Sequence, residues 1–329
     1  MLCEAWFKEC FHHILPTVNS APLIIKPRVR GVDVAYFLHK YRSEFNALLY
    51  EFGAILLRAS GVETAEDFKR ISDSISPESI PYDEKSTPRA SLKDVQHVYT
   101  STEYPSRLKI DLHCENSYAH VWPNKILFWC KRAADQGGET LLADTRKVLA
   151  TLPNWLVAEC QQSVVHYHRT FSAELGYEWQ VAFEVSSVPE LEAKLRLKGY
   201  NWEWKDGNLL TLRTGKWLNE HPETKEQVWF NHAHFFHPFS VASALGHDSD
   251  ALRNMAAALP YQVTFESQAV DDSAVAQIRS AFQACSYSLP MKRGDVLVLD
   301  NMLMAHGRNV FEGERQVFVI MTEPNTYRK

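Results

Sequence analysis

His113 and Glu115 stand two positions apart in Asp111-Leu-His113-Cys-Glu115-Asn-Ser117. On an extended strand, side chains two apart point to the same face, so an imidazole and a carboxylate converge there on one point. That is two thirds of a metal site. His306, in the stretch Asp300-Asn-Met-Leu-Met-Ala-His306-Gly-Arg308, is the best candidate for the third ligand. Two His and one carboxylate on one side of an ion leave the opposite positions open, an arrangement suited to non-haem Fe(II) and oxygen. The triplet alone is not specific. With 14 His and 40 acidic residues among 329, such pairs arise by chance, and His221-Pro-Glu223 is a second one. A surface strand carrying a polar pair is the plain alternative, so the surrounding chain has to decide.

Before the pair, apolar residues from Val32 to about Leu49 recur at three and four, a helical stripe. Phe52 to Arg58 reads as a buried strand, and Thr64 with its acidic followers as the capped start of a second helix. Ser74 to Ser106 turns polar and is marked by Pro77, Pro81 and Pro88. A loop of that length in a compact domain is usually functional, and residues 75–106 are read as an active-site lid, a plain surface excursion being the alternative. After the pair come a strand over Asn124–Cys130, a tight turn at Gly137-Gly138, and a strand over Thr140–Asp144. Asp144 can cap a helix that ends at Pro153. Further on, Asp206-Gly207 marks a hairpin and Asp272–Cys285 a helix. The chain closes with strands over Asp295–Asp300 and Arg315–Met321, around a loop that carries His306. His232 and His234 alternate as a strand pair would, but no third zinc ligand stands near them, so they read as a pocket wall.

Composition narrows the classes. A net charge of −5 and a sequence pI near 6.3, with no Lys/Arg run, argue against nucleic acid as a partner. The six Cys form no Cys-x-x-Cys pair and no regular spacing, so neither a zinc knuckle nor a disulfide framework is written in them. The N-terminal residues break any apolar run with Glu4, Lys8 and Glu9, unlike a secretory signal. No stretch approaches the roughly 20 apolar residues of a membrane span. A soluble cytoplasmic protein without a membrane partner is expected. No repeat or linker interrupts 1–329, so one domain is the economical count. Many short strands with flanking helices predict a mainly β fold, and a jelly roll would bring His113 beside His306.

The ordered set His113-Cys-Glu115-Asn-Ser-Tyr118, Trp122-Pro123, Gly137-Gly-Glu-Thr140 through Asp144-Thr-Arg146, Trp229-Phe-Asn231, and Gly294 through His306-Gly-Arg308 to Gly313-Glu-Arg315 resembles the taurine dioxygenase (TauD/TfdA-like) family. It is more closely similar to the SyrP-like and clavaminate-synthase-like branch, over about Gly53 to Met321. The resemblance implies a double-stranded β-helix (jelly roll, cupin-like) and an Fe(II)- and 2-oxoglutarate-dependent oxygenase using O2. It implies His113, Glu115 and His306 as iron ligands, and Thr140 and Arg315 as the 2-oxoglutarate anchors. A dicarboxylate needs a fixed cation at its far end, and an arginine can grip a carboxylate with two parallel hydrogen bonds.

Two departures stand out. Glu115 replaces the commoner Asp, as in the clavaminate-synthase-like branch, and so keeps the charge but adds a methylene. Arg315 follows His306 by nine positions, a shorter gap than in taurine dioxygenase itself, which makes Arg308 a rival anchor. Placement on a strand favours Arg315. Related halogenases carry a small residue in place of the carboxylate, so Glu115 favours hydroxylation or desaturation.

The resemblance thus implies oxidative decarboxylation of 2-oxoglutarate to succinate and CO2, coupled to hydroxylation of an unactivated C–H. The substrate class it suggests is an amino acid, free or tethered to a carrier protein, in natural-product biosynthesis. Asn116, Ser117 and Asn231 are placed to face that substrate or to bond the backbone. The alternatives are a cupin-like metal-dependent hydrolase or isomerase, in which Thr140 and Arg315 lack a purpose, and a β-domain binding a partner through Trp122, Trp202, Trp204 and Trp229.

Overall fold

The strands Ala54–Leu57 and Val296–Asp300 are buried at every residue, so both faces of the sheet that holds them must be covered. The computed structural model, which describes residues 10–29, 31–82, 84, 89–92, 94–173, 177–240 and 259–326, shows how. These two strands sit in the middle of a seven-stranded sheet, flanked on one side by Phe11–Ile14 and Leu23–Pro27 and on the other by Val121–Arg132, Gln316–Thr326 and Tyr99–Thr100. One face, with Ile55, Leu57, Val298 and Trp129, packs on Leu38, Leu49 and Phe68 of the N-terminal helices. The alternate residues Ala54, Leu56, Leu297 and Leu299 turn inward to meet Leu142 and Met304 of a second sheet.

That second sheet has four strands in the order Ser286–Leu289, Thr140–Asp144, Met304–Arg308, Ile110–His113. Its outer face, including Leu141, Ala143 and Ala305, packs with Val148, Leu156 and Ile278 of the helices Thr145–Thr151, Asn154–Gln162 and Asp272–Ala284. A third, four-stranded sheet holds Asn201–Lys205, Asn208–Lys216, Val164–Phe171 and Tyr261–Phe265. The fold is mostly β with several sheets, as expected. No helix among the described residues is long and apolar enough to cross a membrane, and the described Cys residues are all free thiols.

Several local expectations hold for identifiable reasons. Thr64 closes a capping box with Asp67, and Asp144 accepts from the Arg146 N–H at the start of its helix. The Asp206-Gly207 hairpin turn has both residues at positive φ, 50° and 80°, as a two-residue loop with the right twist requires. Others need correction. The stripe from Val32 to Leu49 is two helices, Val34–Lys40 and Arg42–Phe52, broken at Tyr41. Phe52 ends the second of them rather than opening a strand, because Gly53 at φ 71° caps it in the left-handed conformation and the strand starts at Ala54. His234 lies on a short helix, Ala233–Phe236, not on a strand. Glu4, Lys8 and Glu9, on which the reading of the N-terminus rests, lie outside the described residues.

In the second sheet, Met304–Arg308 lies between its neighbours, with His306 paired to both His113 and Leu142, and Arg308 to Thr140. The pairing with Ile110–His113 is irregular between His306 and Arg308. Gly307 sits there, and a Cβ on it would come 2.6 Å from the Ile110 carbonyl oxygen, a backbone atom that cannot step aside. Gly307→Ala is expected to push the two strands apart, lowering stability by about 1–3 kcal/mol. A urea unfolding midpoint would register this, and an unchanged midpoint would show that the close approach is not needed.

Candidate active site

His306 extends from the inner face of its strand, in step with Met304 two residues earlier. It was expected on a loop; the strand runs through it. His113 ends the neighbouring strand, and the Nδ1–H donates to the Asp111 carbonyl at 2.8 Å, which leaves Nε2 as the acceptor. Glu115 is not on that strand. It lies in the turn just after it, with Asn116 at φ 54° completing the bend. What aims the turn is Asn301: its Oδ1 accepts from the Glu115 N–H at 2.8 Å, and its Nδ2 donates to the Glu115 and Pro123 carbonyls at 2.9 and 2.8 Å. The result is the convergence expected from spacing, reached by a turn instead of a continuous strand.

One ligand atom from each of His113, Glu115 and His306 lies within 4.8 Å of the others, the only such cluster of His, Cys, Asp and Glu among the described residues. The imidazole rings of His113 and His306 are 4.6 Å apart, and the Glu115 Oε2 is 3.9 Å from His306 Nε2. Burial depresses the pKa of both imidazoles, that of His306 well below its ordinary value with the neighbouring His113 as a further cause. Neutral imidazoles beside a carboxylate are the donor set a divalent ion requires. His306 Nδ1 is buried without a protein partner. The residues present therefore fit a metal ion.

A cavity opens beside the triad between the two sheets, lined by Phe128, Thr140, Arg308, Arg315 and Val317, with Arg89, Ser101 and Thr102 from the 75–106 segment. Arg315 was expected on a strand and Arg308 on a loop; the structure reverses this, with Arg308 in Met304–Arg308 and Arg315 just before Gln316–Thr326. The guanidinium of Arg308 is nonetheless occupied by the carbonyls of Tyr104, Pro105 and Leu108 at 3.1, 2.9 and 2.7 Å. Arg315 is held differently. Its Nε donates to the Gly138 carbonyl at 3.1 Å, and among the described residues its two Nη groups have no hydrogen-bond partner. Burial, with Arg308 nearby, pushes its pKa down to about 10. A cation so placed lacks an anion. The Gly137-Gly138 turn makes room for it, since a Cβ on Gly138 would lie 3.1 Å from the Arg315 Cδ. Thr140 Oγ1 reaches only the Met291 sulfur, at 3.4 Å.

The residues expected to face substrate fare less well. Asn231 is bonded at both ends of its amide to backbone, Nδ2 to the Trp217 carbonyl and Oδ1 to the Ala233 N–H. Ser117 Oγ donates to the Cys114 carbonyl and lies 3.1 Å from His232 Nδ1. Asn116 serves the turn. Asn116, Ser117 and Asn231 are absent from the cavity lining. The pocket-wall reading of the His-rich stretch needs correction, since none of residues 228–237 lines the cavity and their rings pack behind the ligands instead. His232 and Phe235 put their rings 5.5 and 4.9 Å from the ring of His113, while His234 Nε2 donates to the Leu112 carbonyl and stacks on Phe282. His221 of the second triplet is 3.0 Å from Asp300, which caps the Met302 and Leu303 N–H groups ahead of His306. Trp122 and Trp229 are core residues, so no aromatic partner-binding face forms from the four tryptophans. Sequence reasoning missed Arg89, whose Nη2 lies 2.7 Å from Glu115 Oε2. It was lost among the polar residues of the segment before the ligand strand.

Sheets, triad and cavity together are those of a mostly β, metal-dependent oxygenase. The chain belongs to the taurine catabolism dioxygenase TauD, TfdA family, whose model it matches over residues 17–321, and with it to the Fe(II)- and 2-oxoglutarate-dependent dioxygenases. It is 33% identical over 326 residues to the dapdiamide synthesis protein DdaC of Enterobacter agglomerans, covering 95% of both chains. It is 26% identical to a clavaminate synthase-like protein of Arabidopsis thaliana, covering 92% of both. In fold it is similar to PvcB, an Fe, alpha-ketoglutarate dependent oxygenase from an isonitrile synthetic pathway, with a TM-score of 0.57 at 12% identity over 95% of this chain and 91% of that one.

The pKa values of His113, His232, His234 and His306 all lie below the ordinary value of 6.5, through burial first, and His234 falls to about 4. Between the folded and unfolded values the unfolded chain binds more protons, so stability falls as pH falls. The ion-free protein is expected to weaken from pH 6.5 downward, over a window that reaches about pH 4 for His234, at up to ~1.4 kcal/mol per pH unit for each imidazole. Urea midpoints measured across that range check this. A flat profile would show that these rings are not held neutral.

Proposed function

We propose that this chain hydroxylates an unactivated C–H of an amino acid, free or tethered to a carrier protein, in natural-product biosynthesis. His113, Glu115 and His306 hold Fe(II), and Arg315 with Thr140 holds the far carboxylate of 2-oxoglutarate. Arg308 is not the anchor in this reading, because three backbone carbonyls already occupy its two Nη groups. The facing seven- and four-stranded sheets make up a double-stranded β-helix, and 1–329 is a single domain. The 75–106 segment serves as a lid, since its residues Arg89, Ser101 and Thr102 line the cavity.

The observation that carries the reading is the Arg315 guanidinium, partly buried and without an anion among the described residues, in the cavity that also reaches the triad. A metal-dependent hydrolase or isomerase has no use for a second fixed cation there. A dicarboxylate that meets the metal at one end and an arginine at the other accounts for both. When bound, iron and 2-oxoglutarate together supply the oxidising chemistry, with release of succinate and CO2. The chain's own part is to bind and exclude. Arg315 and Thr140 fix the co-substrate by charge and hydroxyl contact, Phe128 and Val317 keep water from the inner end, and His232 with Phe235 closes the side against His113. The substrate class is supported by the relatives' printed roles: DdaC in dapdiamide synthesis and PvcB in an isonitrile pathway.

Anaerobic titration with Fe(II) and then 2-oxoglutarate is expected to produce the weak visible charge-transfer band of a chelated 2-oxo acid. Glu115→Ala should abolish it, and Arg315→Ala should weaken 2-oxoglutarate binding by on the order of tenfold or more, as the loss of a charge-assisted pair implies. Succinate release against a panel of free and carrier-bound amino acids then tests the substrate class. No band from folded, iron-loaded wild-type protein would sink the oxygenase reading.

A further inference from the structure

Glu115 is a ligand candidate with one more rotatable bond than the Asp that is commoner at its position, and it stands on a turn. Asn301 fixes its backbone but leaves the carboxylate free to swing. Among the described residues one side chain holds that carboxylate: Arg89, whose Nη2 donates to Oε2 at 2.7 Å. Both side chains are buried, at 5% and 6% exposure, so water does not dilute the pair. Arg89 is itself held. Its Cζ lies 4.7 Å over the Tyr82 ring, and Nη2 reaches Thr102 Oγ1 at 3.3 Å.

His113, Glu115 and His306 would hold the ion, and a partner behind a ligand sets the direction in which that ligand faces it. The longer and more flexible Glu115 side chain depends on such a partner more than an Asp would.

We propose that Arg89 is a positioning residue for Glu115: its buried ion pair with Oε2 fixes the orientation of the carboxylate that would hold the metal. This rests on the reading of His113, Glu115 and His306 as the metal ligands. It also makes the 75–106 segment part of the metal centre, since Tyr82, Arg89 and Thr102 all belong to it.

The test uses Co(II) as a spectroscopic probe, its visible bands reporting coordination number, alongside the anaerobic Fe(II)·2-oxoglutarate band. Arg89→Gln is expected to weaken Co(II) binding by about 10–100-fold, the usual cost of losing a partner behind a ligand, and to alter the Co(II) spectrum. Arg89→Lys, which keeps the charge without the fork, should recover part of both. In a Glu115→Asp background the same Arg89→Gln change should have a smaller effect on affinity, because the shorter carboxylate needs less restraint. This comparison stays informative if Arg89→Gln lowers stability, since both backgrounds carry that cost. Wild-type Co(II) affinity and spectrum in Arg89→Gln, or equal losses in the Glu115 and Asp backgrounds, would overturn the proposal. A wild-type protein that binds neither metal nor 2-oxoglutarate would instead overturn the oxygenase reading beneath it.

Discussion

The antiparallel pairing that sets His113 opposite His306 joins stretches from opposite halves of the chain, and the site cannot exist without it. Bringing such distant segments together costs conformational entropy that no local contact repays. The apolar layer between the sheets supplies the return, with Ala54, Leu56, Leu297 and Leu299 facing Leu142 and Met304. His306 continues the row that Met304 begins, so the face that packs the core also delivers a ligand where the core ends. Asp111 adds a second hold on the ligand strand through Arg279 of the helix Asp272–Ala284, at 2.7 Å.

Three arginines line one cavity and behave as three different groups. Arg308 is spent on the carbonyls of a loop, which makes it a structural cation. Arg89 is neutralised by a carboxylate. Arg315 has a single backbone hydrogen bond and a depressed pKa, and among the described residues its two Nη groups are unoccupied where those of Arg308 are not. Charge placement of this kind distinguishes the three more clearly than secondary structure does. The strand-or-loop argument placed Arg308 and Arg315 the wrong way round.

Most of the inner scaffold was legible because its strands are apolar runs bounded by Gly, Pro and Asp, and because Thr64, Asp144 and Asp206-Gly207 announce caps and a turn through local chemistry. The His113, Glu115 and His306 convergence was legible from residue types and an ordered set of motifs. What was not legible depends on contacts across the fold. Tyr41 breaks a continuous helical stripe for no reason visible in its neighbours. The roles of Asn231 and Ser117 turn on which backbone groups happen to lie beside them. Arg89 carries no local signal at all, and only the packing of its segment against the ligand turn reveals it.

Asn301 grips the main chain on both sides of Glu115 and also the Pro123 carbonyl, tying the ligand turn to the central strand Val121–Arg132. Main-chain anchoring of this kind is indifferent to the side chains around it. The walls of the cavity, among them Ser101 and Thr102 of the 75–106 segment, can therefore exchange residues over evolutionary time while the ligand geometry stays put. Such an enzyme can acquire a new substrate without having to reinvent its chemistry.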